Sequence, residues 1–230
     1  MSRDEQVGQR HLVDRVFSIL DAFTPGEPRL TVSDISRRTL LPVATAHRLA
    51  NQLANEGALD RGSDGRYGIG LRLLEIGRLE QHALQLRSVA LPWMFRLQEA
   101  TGSLVLLCVL SGDDVVVLEQ VAVGVHHGFP PRQEAKATAA GRLLLAHRSP
   151  GSGGSVVCPS GLVFGGTQAG DEPFSVAAPV QDEEKSVIAA LSIVGLGRGH
   201  ERVEVAQAVR QAALEISAAL ARRATVVSAS

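Results

Sequence analysis

Residues Val43–Asn55 read VATAHRLANQLAN, and this stretch decides the fold of the N-terminal part of the chain. Its apolar side chains recur at the spacing of one helical face: Ala46, Leu49, Ala50 and Leu53. At 100° per residue, the opposite face carries Ala44, Arg48, Asn51 and Asn55, with His47 at its border. Pro42 suits the first turn of a helix, and Gly57 suits its C-terminal cap. The stretch is therefore predicted to be an amphipathic helix with an exposed polar face.

Two further helices are predicted upstream. The first has one apolar face formed by Val13, Val16, Phe17 and Leu20. The second begins at a capping box, in which Thr31 and Asp34 satisfy each other's backbone N–H groups, and runs to Arg38. The tight connection Thr39–Pro42 then leads into the third helix.

A β-hairpin is predicted after the third helix. Strands Ala58–Arg61 and Arg66–Ile69 flank the turn Gly62-Ser63-Asp64-Gly65, whose Asp-Gly step is a good hairpin signal. Three helices with a short turn before the last, followed by a hairpin, make a winged helix-turn-helix. We expect this domain over residues 1–70.

The pattern predicts that this domain binds double-stranded DNA. In the major groove, Arg48 can pair with guanine, Asn51 with adenine, and Ala44 can meet a thymine methyl group. The other candidates for DNA contact are Arg37, Arg38, Thr45, His47, Arg61 and Arg66. A polar helix face can also be simply solvated. The spacing of the helices, the short turn before the third helix, the polar face of that helix and the Arg-flanked hairpin together favour DNA binding.

After the head, the sequence pattern predicts a linker helix over 71–91 and a second domain over 92–230. The chain as a whole is therefore predicted to be α+β. The helical pattern from Leu71 to Ala100 is expected to break at Pro92. Strands are expected at Ser103–Leu110, Asp114–Val121, Phe174–Gln181 and Val187–Gly195, and helices at Ala137–His147 and Glu201–Arg223. The apolar stripe of the last helix, Val203, Ala206, Val209, Ala213, Ile216 and Leu220, is expected to pack on the sheet. Ser149–Gly170 is rich in Gly and Ser and is expected to be a flexible loop.

Composition excludes several classes of protein. The formal net charge of −1 argues against a protein that coats nucleic acid through bulk charge. No apolar stretch is long enough to span a membrane and no secretory signal is visible, so a cytoplasmic protein is expected. Cys108 is expected to be a small core residue. No catalytic set, metal site or cofactor motif is found, since His126-His127 lacks partners at ligand spacing.

An ordered series of motifs resembles the isocitrate-lyase-regulator (IclR) family of transcription regulators. In the head the resemblance is carried by Leu30–Ile35, Pro42–Leu49 and Gly65–Gly70, with Leu73, Leu74 and Gly77 after them. It continues through Ala100–Gly102, Ala137–Ala146, Ala177–Val180 and Ala189–Ser192. It therefore covers nearly the whole chain in order.

The resemblance implies a GAF-like effector domain after the head, homodimers or tetramers, and a repressor or activator controlled by a small metabolite. It implies that Thr45 and Arg48 contact DNA and that an effector pocket is bordered by Ala139, Gly141, Ser175 and Ser192. The small residues before the Ala137 helix suit a carboxylate, because N–H groups are exposed at a helix N-terminus; they equally suit close helix–sheet packing.

Two alternatives stay open. Ser149–Asp171 is shorter than the corresponding stretch of the family, so the protein could be an orphan regulator without an effector pocket. It could also be a GAF-like small-molecule enzyme whose head is an interaction module.

Overall fold

The computed structural model describes residues 11–24, 26–122, 129–148, 161–165, 174–195 and 200–227. The chain divides into two compact units, Met1–Gln81 and His82–Ser230. Within the described residues, none of the helices combines the length and the apolar character needed to cross a lipid bilayer. The predicted His126-His127 pair and Cys158 lie outside the described residues.

The N-terminal unit is a winged helix-turn-helix. Its described elements are α1 (Leu12–Leu20), β1 (Arg29–Leu30), α2 (Val32–Thr39), α3 (Val43–Asn55), β2 (Leu59–Arg61), β3 (Tyr67–Ile69) and α4 (Leu71–Gly77). The hairpin β2–β3 was predicted, but β1 was not. This two-residue strand adds to β3, giving an antiparallel sheet in the order β1-β3-β2.

The turn between α2 and α3 is fixed by local hydrogen bonds. The predicted capping box is present at the start of α2, where the Thr31 hydroxyl accepts from the Asp34 N–H at 3.2 Å. At its end, Leu40 takes the left-handed conformation with φ 58°, which terminates a helix. The Ser36 hydroxyl donates to the carbonyl of Leu41 at 2.7 Å. The direction of α3 therefore follows from a short, well-bonded turn.

The buried face of α1 differs from the predicted one. Val13 and Phe17 are 62% and 58% exposed, whereas Ile19 is fully buried. Periodicity finds an apolar face but does not say which part of it meets the core, and here the core of the unit contacts the C-terminal turn of α1. Val13 and Phe17 are left as exposed apolar surface.

The helical region after the head breaks at 78–80, not at Pro92 as predicted. The helix α5 (Gln81–Thr101) runs through Pro92. Proline removes one backbone hydrogen bond from a helix. Buried side chains on both sides of Pro92, among them Ala90 and Met94, hold the helix in the core. Tertiary packing thus overrides the local signal.

The C-terminal unit is an α+β domain built on a single antiparallel sheet. Its further elements are β4 (Leu104–Ser111), β5 (Asp114–Val121), β6 (Arg132–Glu134), a 3-10 turn (Ala135–Ala137), α6 (Ala139–Arg148), β7 (Val163–Gly165), β8 (Phe174–Gln181), β9 (Val187–Gly195) and α7 (His200–Val227). The strand order is β6-β5-β4-β9-β8-β7.

The two faces of this sheet serve two cores. Side chains alternate along β4, so that Val105 and Leu107 join a core with α5 and α7, while Leu106 and Cys108 join a core with α6. The predicted packing of α7 on the sheet is confirmed for most of its stripe: Ala206, Val209, Ala213 and Ile216 are buried. Val203 is exposed.

Two short strands of the C-terminal unit were not predicted from the sequence. β6 pairs with β5, and β7 pairs with β8 through Val163↔Ala177 and Phe164↔Val176. The expectation that Ser149–Gly170 is entirely loop is therefore wrong for Val163–Gly165. The rest of that stretch lies outside the described residues, apart from residues 161 and 162.

The capping box makes the stability of the head depend on pH. The hydrogen bonds from Thr31, with the neighbouring Arg37 guanidinium, lower the pKa of Asp34 below its ordinary value. A carboxyl whose pKa is lower in the folded state stabilises the protein above its unfolded pKa and loses that effect as the pH falls. We expect Asp34→Asn to be less stable than the wild type in urea unfolding at about pH 7, with the difference narrowing below about pH 4. Glu183→Gln, in an exposed turn, is the control; a pH-independent difference for Asp34→Asn would contradict this account.

Candidate nucleic-acid interface and ligand cavity

The helix α3 is oriented by its buried face. Ala46, Leu49 and Ala50 are buried in the core of the N-terminal unit, together with Ile19 of α1 and Ile35 of α2. Alanine at two of these positions allows close approach of the helices. The face predicted to be outward is consequently turned away from the core.

The outer face of α3 presents three of the predicted DNA contacts. Ala44, His47 and Arg48 are exposed, and Thr45 is half-buried. Arg48 Nη1 donates to Oε1 of Gln52 at 3.4 Å. This is a long contact, which an incoming base could replace. The face therefore presents the exposed guanidinium of Arg48 beside the imidazole of His47 and the methyl group of Ala44.

Asn51 is placed differently from the other residues of this face. It is half-buried, and its Oδ1 accepts from the Tyr67 hydroxyl at 2.6 Å. Its Nδ2 lies 3.1 Å from Nε2 of His47. Tyr67 is only 1% exposed and belongs to β3 of the wing. Asn51 therefore joins the helix to the wing, a contact that no sequence pattern indicated.

Arg37 and Arg38, predicted to contact DNA phosphates, differ in exposure and in their contacts within the protein. Arg37 is exposed and pairs with Asp34 at 2.8 Å on the same helix. Arg38 donates to the carbonyl of Ala22 at 2.8 Å and forms an ion pair with Glu27. Surface pairs are weak and exchange readily with phosphate. The less exposed guanidinium of Arg38 is engaged within the unit itself.

The wing carries Arg61 and Arg66 on either side of its turn. Arg61 lies over the ring of Tyr67, with 5.6 Å between its guanidinium carbon and the ring centroid. Arg66 Nε is 3.8 Å from a carboxylate oxygen of Asp64. Gly65, at φ 76°, provides the left-handed residue that the turn needs. Both arginines are exposed at the tip of the hairpin.

A cavity of about 210 Å³ lies in the C-terminal unit between the sheet and the N-terminal end of α6. Most of its wall is apolar. The lining residues are Leu106, Cys108, Val115, Phe129, Gln133, Ala137, Thr138, Ala139, Ala140, Phe174, Ser175, Ser192 and Val194. No acidic side chain is among these described residues.

Three of the four predicted effector residues line this cavity: Ala139, Ser175 and Ser192. Gly141 does not. A Cβ at Gly141 would lie 2.2 Å from the carbonyl oxygen of Ala135, so this glycine serves the close approach of α6 to the 3-10 turn. The Ser192 hydroxyl donates to the carbonyl of Val176 at 3.0 Å. The Thr138 hydroxyl accepts from the Gly141 N–H at 2.9 Å and caps α6.

Two of the wall residues that were not predicted as site residues, Gln133 and Cys108, carry polar or reactive groups. Gln133, on β6, has a buried Nε2 without a hydrogen-bond partner. Cys108, predicted to be a small core residue, is buried as expected, and burial raises the pKa of its thiol to about 12. The thiol is therefore neutral and unreactive, whereas the amide of Gln133 has an unused donor at the cavity.

The fold and the sequence match known proteins across both units. Residues 12–63 match the family model of the IclR helix-turn-helix domain. The crystal structure of an IclR homolog complexed with 4-hydroxybenzoate, from Microbacterium hydrocarbonoxydans, is 30% identical, with a TM-score of 0.70 over 91% of this chain and 99% of that one. This chain belongs to the IclR family of transcription regulators.

Curated relatives agree with this assignment of the IclR-family chain. The HTH-type transcriptional regulator XynR of Escherichia coli is 26% identical over 90% of this chain and 96% of its own length. The glycerol operon regulatory protein of Streptomyces coelicolor is 26% identical over 89% and 94%. The predicted family, the α+β class with a winged helix-turn-helix head and GAF-like domain, and the DNA-binding regulator function are confirmed.

The exposed guanidinium of Arg48 gives a first test of this IclR-family head. We expect Arg48→Ala to weaken binding by about 1–3 kcal/mol and to relax base preference at one position per half-site. The probe is a duplex that the wild-type protein selects from a randomised double-stranded library, measured by fluorescence anisotropy. Arg132→Ala, which removes an exposed ion pair with Asp114 in the C-terminal unit, is the control. Wild-type discrimination in Arg48→Ala would show that the helix does not read bases through this residue.

Proposed function

We propose that this IclR-family regulator binds a palindromic operator as a homo-oligomer through α3 and the wing, and that a small carboxylate metabolite in the C-terminal cavity controls this binding. The observation that carries the DNA part is the outward face of α3, with Ala44, His47 and Arg48 exposed. The N-terminal part of a recognition helix contacts base edges in the major groove. Arg61 and Arg66 are exposed at the wing tip, and in this proposal they contact the phosphate backbone beside it.

Exposed apolar side chains of the N-terminal unit support self-association. Those on α1 are Leu12, Val13 and Phe17, and those on and just after α4 are Leu71, Leu74, Ile76 and Leu79, each more than half exposed. Large exposed apolar residues in such number favour a protein partner. A second copy of the chain would bury them and place two recognition helices on one two-fold operator.

The cavity supports control by a small ligand. At about 210 Å³ it is smaller than the roughly 300–1,000 Å³ of sites for drug-sized molecules, so a small metabolite fits it best. The wall offers a few donors: the amide of Gln133, the Ser175 hydroxyl and the N–H groups of Ala139 and Ala140, the first two residues of α6. Apolar side chains, Val115 and Phe129 among them, form the rest of the wall. A few donors in an otherwise apolar wall suit an apolar carboxylate.

The related structure from Microbacterium hydrocarbonoxydans holds 4-hydroxybenzoate, an aromatic carboxylate. Its ligand is of the chemical class that we propose for this cavity. We infer that ligand binding changes the affinity for the operator by favouring one arrangement of the oligomer, since a ligand shifts an equilibrium only through different affinity for the two states.

The ligand is tested with a panel of aliphatic and aromatic monocarboxylates, 4-hydroxybenzoate included, each paired with its neutral amide. We expect at least one acid to raise the melting temperature of the full chain saturably and to bind in isothermal titration calorimetry more tightly than its amide. The same acid should change the affinity for the selected duplex. Gln133→Leu should weaken binding roughly fivefold, the effect of about one hydrogen bond.

Gln211→Leu, on the exposed side of α7, is the matched control and should bind as the wild type does. Silence of the whole panel, with duplex binding intact, would favour the orphan regulator without an effector. Binding of acid and amide with equal affinity would show that the cavity recognises shape rather than charge.

A further inference from the structure

The amide of Asn51 is engaged at both ends inside the protein. Its oxygen accepts from the Tyr67 hydroxyl at 2.6 Å, and its nitrogen lies 3.1 Å from Nε2 of His47. Tyr67 is 1% exposed, so its hydroxyl has little access to water as an alternative partner. The three side chains form a chain that runs from the wing strand β3 to the outer face of α3.

This arrangement conflicts with base reading by Asn51. An asparagine that recognises adenine uses its amide oxygen and nitrogen together, on one base edge. Turning the amide of Asn51 toward a base would break both of its side-chain contacts and leave the hydroxyl of the buried Tyr67 without an acceptor. A buried polar group that loses its partner is costly. Asn51 was predicted to read a base, but its amide is engaged within the head.

The same contacts set the hydrogen-bonding character of His47. Because the oxygen of Asn51 accepts the hydrogen bond from the Tyr67 hydroxyl, the amide nitrogen is the group that faces Nε2 of His47. The amide nitrogen is a donor, so Nε2 accepts, and the proton of the neutral imidazole lies on Nδ1. The exposed His47 then offers a donor, which complements the acceptor atoms of purines and of thymine in the major groove.

We propose that His47 is a specificity-determining residue of the DNA interface and that Asn51 and Tyr67 are its positioning residues. The proposal rests on the proposed function, because it concerns the same DNA surface. Tyr67 also lies under the guanidinium of Arg61 at 5.6 Å. One buried side chain thus fixes the imidazole on the recognition helix and the arginine on the wing relative to each other.

The test uses the full chain and the duplex that the wild type selects from a randomised library. Affinity for every single-base-pair variant of that duplex is measured for His47→Ala, Asn51→Ala and Tyr67→Phe. We expect His47→Ala to abolish the preference at one base pair per half-site. Asn51→Ala and Tyr67→Phe should weaken binding about three- to tenfold and reduce the preference at that same base pair. The double variant Asn51→Ala/Tyr67→Phe should bind the duplex no more weakly than either single variant, because each single variant already breaks the same chain of contacts.

A readout without DNA separates positioning from general destabilisation. The ¹⁵N shifts of the His47 imidazole, assigned by their loss in His47→Ala, should show protonation at Nδ1 in the wild type and a changed proportion of tautomers in Tyr67→Phe. Tyr67→Phe removes a single hydroxyl and keeps the ring in the core, so it folds even if Asn51→Ala does not. Urea unfolding of each variant checks this.

Loss of preference in Asn51→Ala at a base pair that His47→Ala and Tyr67→Phe leave intact would show that Asn51 reads a base itself, and would overturn the inference alone. Wild-type base preference and imidazole shifts in Tyr67→Phe would overturn it as well. Failure of the wild type to enrich any sequence would overturn the proposed function and this inference with it.

Discussion

The burial of one face of α3 is the constraint on which the rest of the head depends. Leu49 and its flanking alanines lie in the same core as Ile19 and Ile35. Full burial of a side chain such as Leu49 contributes about 1.5–3 kcal/mol relative to exposure, so rotation of the helix about its axis is opposed strongly. The face opposite this core is outward for that reason, and Arg48 lies on it.

In both units, the same elements supply the core and a functional surface. In the head, Tyr67 fills the core with its ring and directs the recognition helix with its hydroxyl. In the C-terminal unit, one face of the sheet is covered by α5 and α7, while the other packs on α6 and contributes to the cavity wall. Structural packing and the functional surfaces are thus supplied by neighbouring positions of the same elements, which links stability to recognition.

The sequence predicted the helices and strands that have a clear periodicity of apolar residues. It did not predict the short strands, which form only because a neighbouring strand pairs with them. The bounds of α3, Val43–Asn55, follow from its apolar spacing and its flanking residues. The strand Val163–Gly165 has too few residues for a period and exists because β8 offers it an edge. Pro92 is carried within a helix by its buried neighbours. At the site, the outward face of α3 was predictable, but the bond between Asn51 and Tyr67 joins residues sixteen positions apart and depends on the packed head.

The central claim is that α3 lies against the bases of the operator, and DNA cleavage from a tethered iron chelate measures this directly. The chelate is attached at Ala44→Cys in a chain that also carries Cys158→Ser; the buried Cys108 stays unlabelled. Ser111→Cys, on the β4–β5 hairpin of the other unit, is the control. We expect the Ala44 label to cut the selected duplex at two symmetric positions, about 10 bp or a multiple apart, and the control to leave it intact. Cleavage from Ser111 with none from Ala44 would contradict the account.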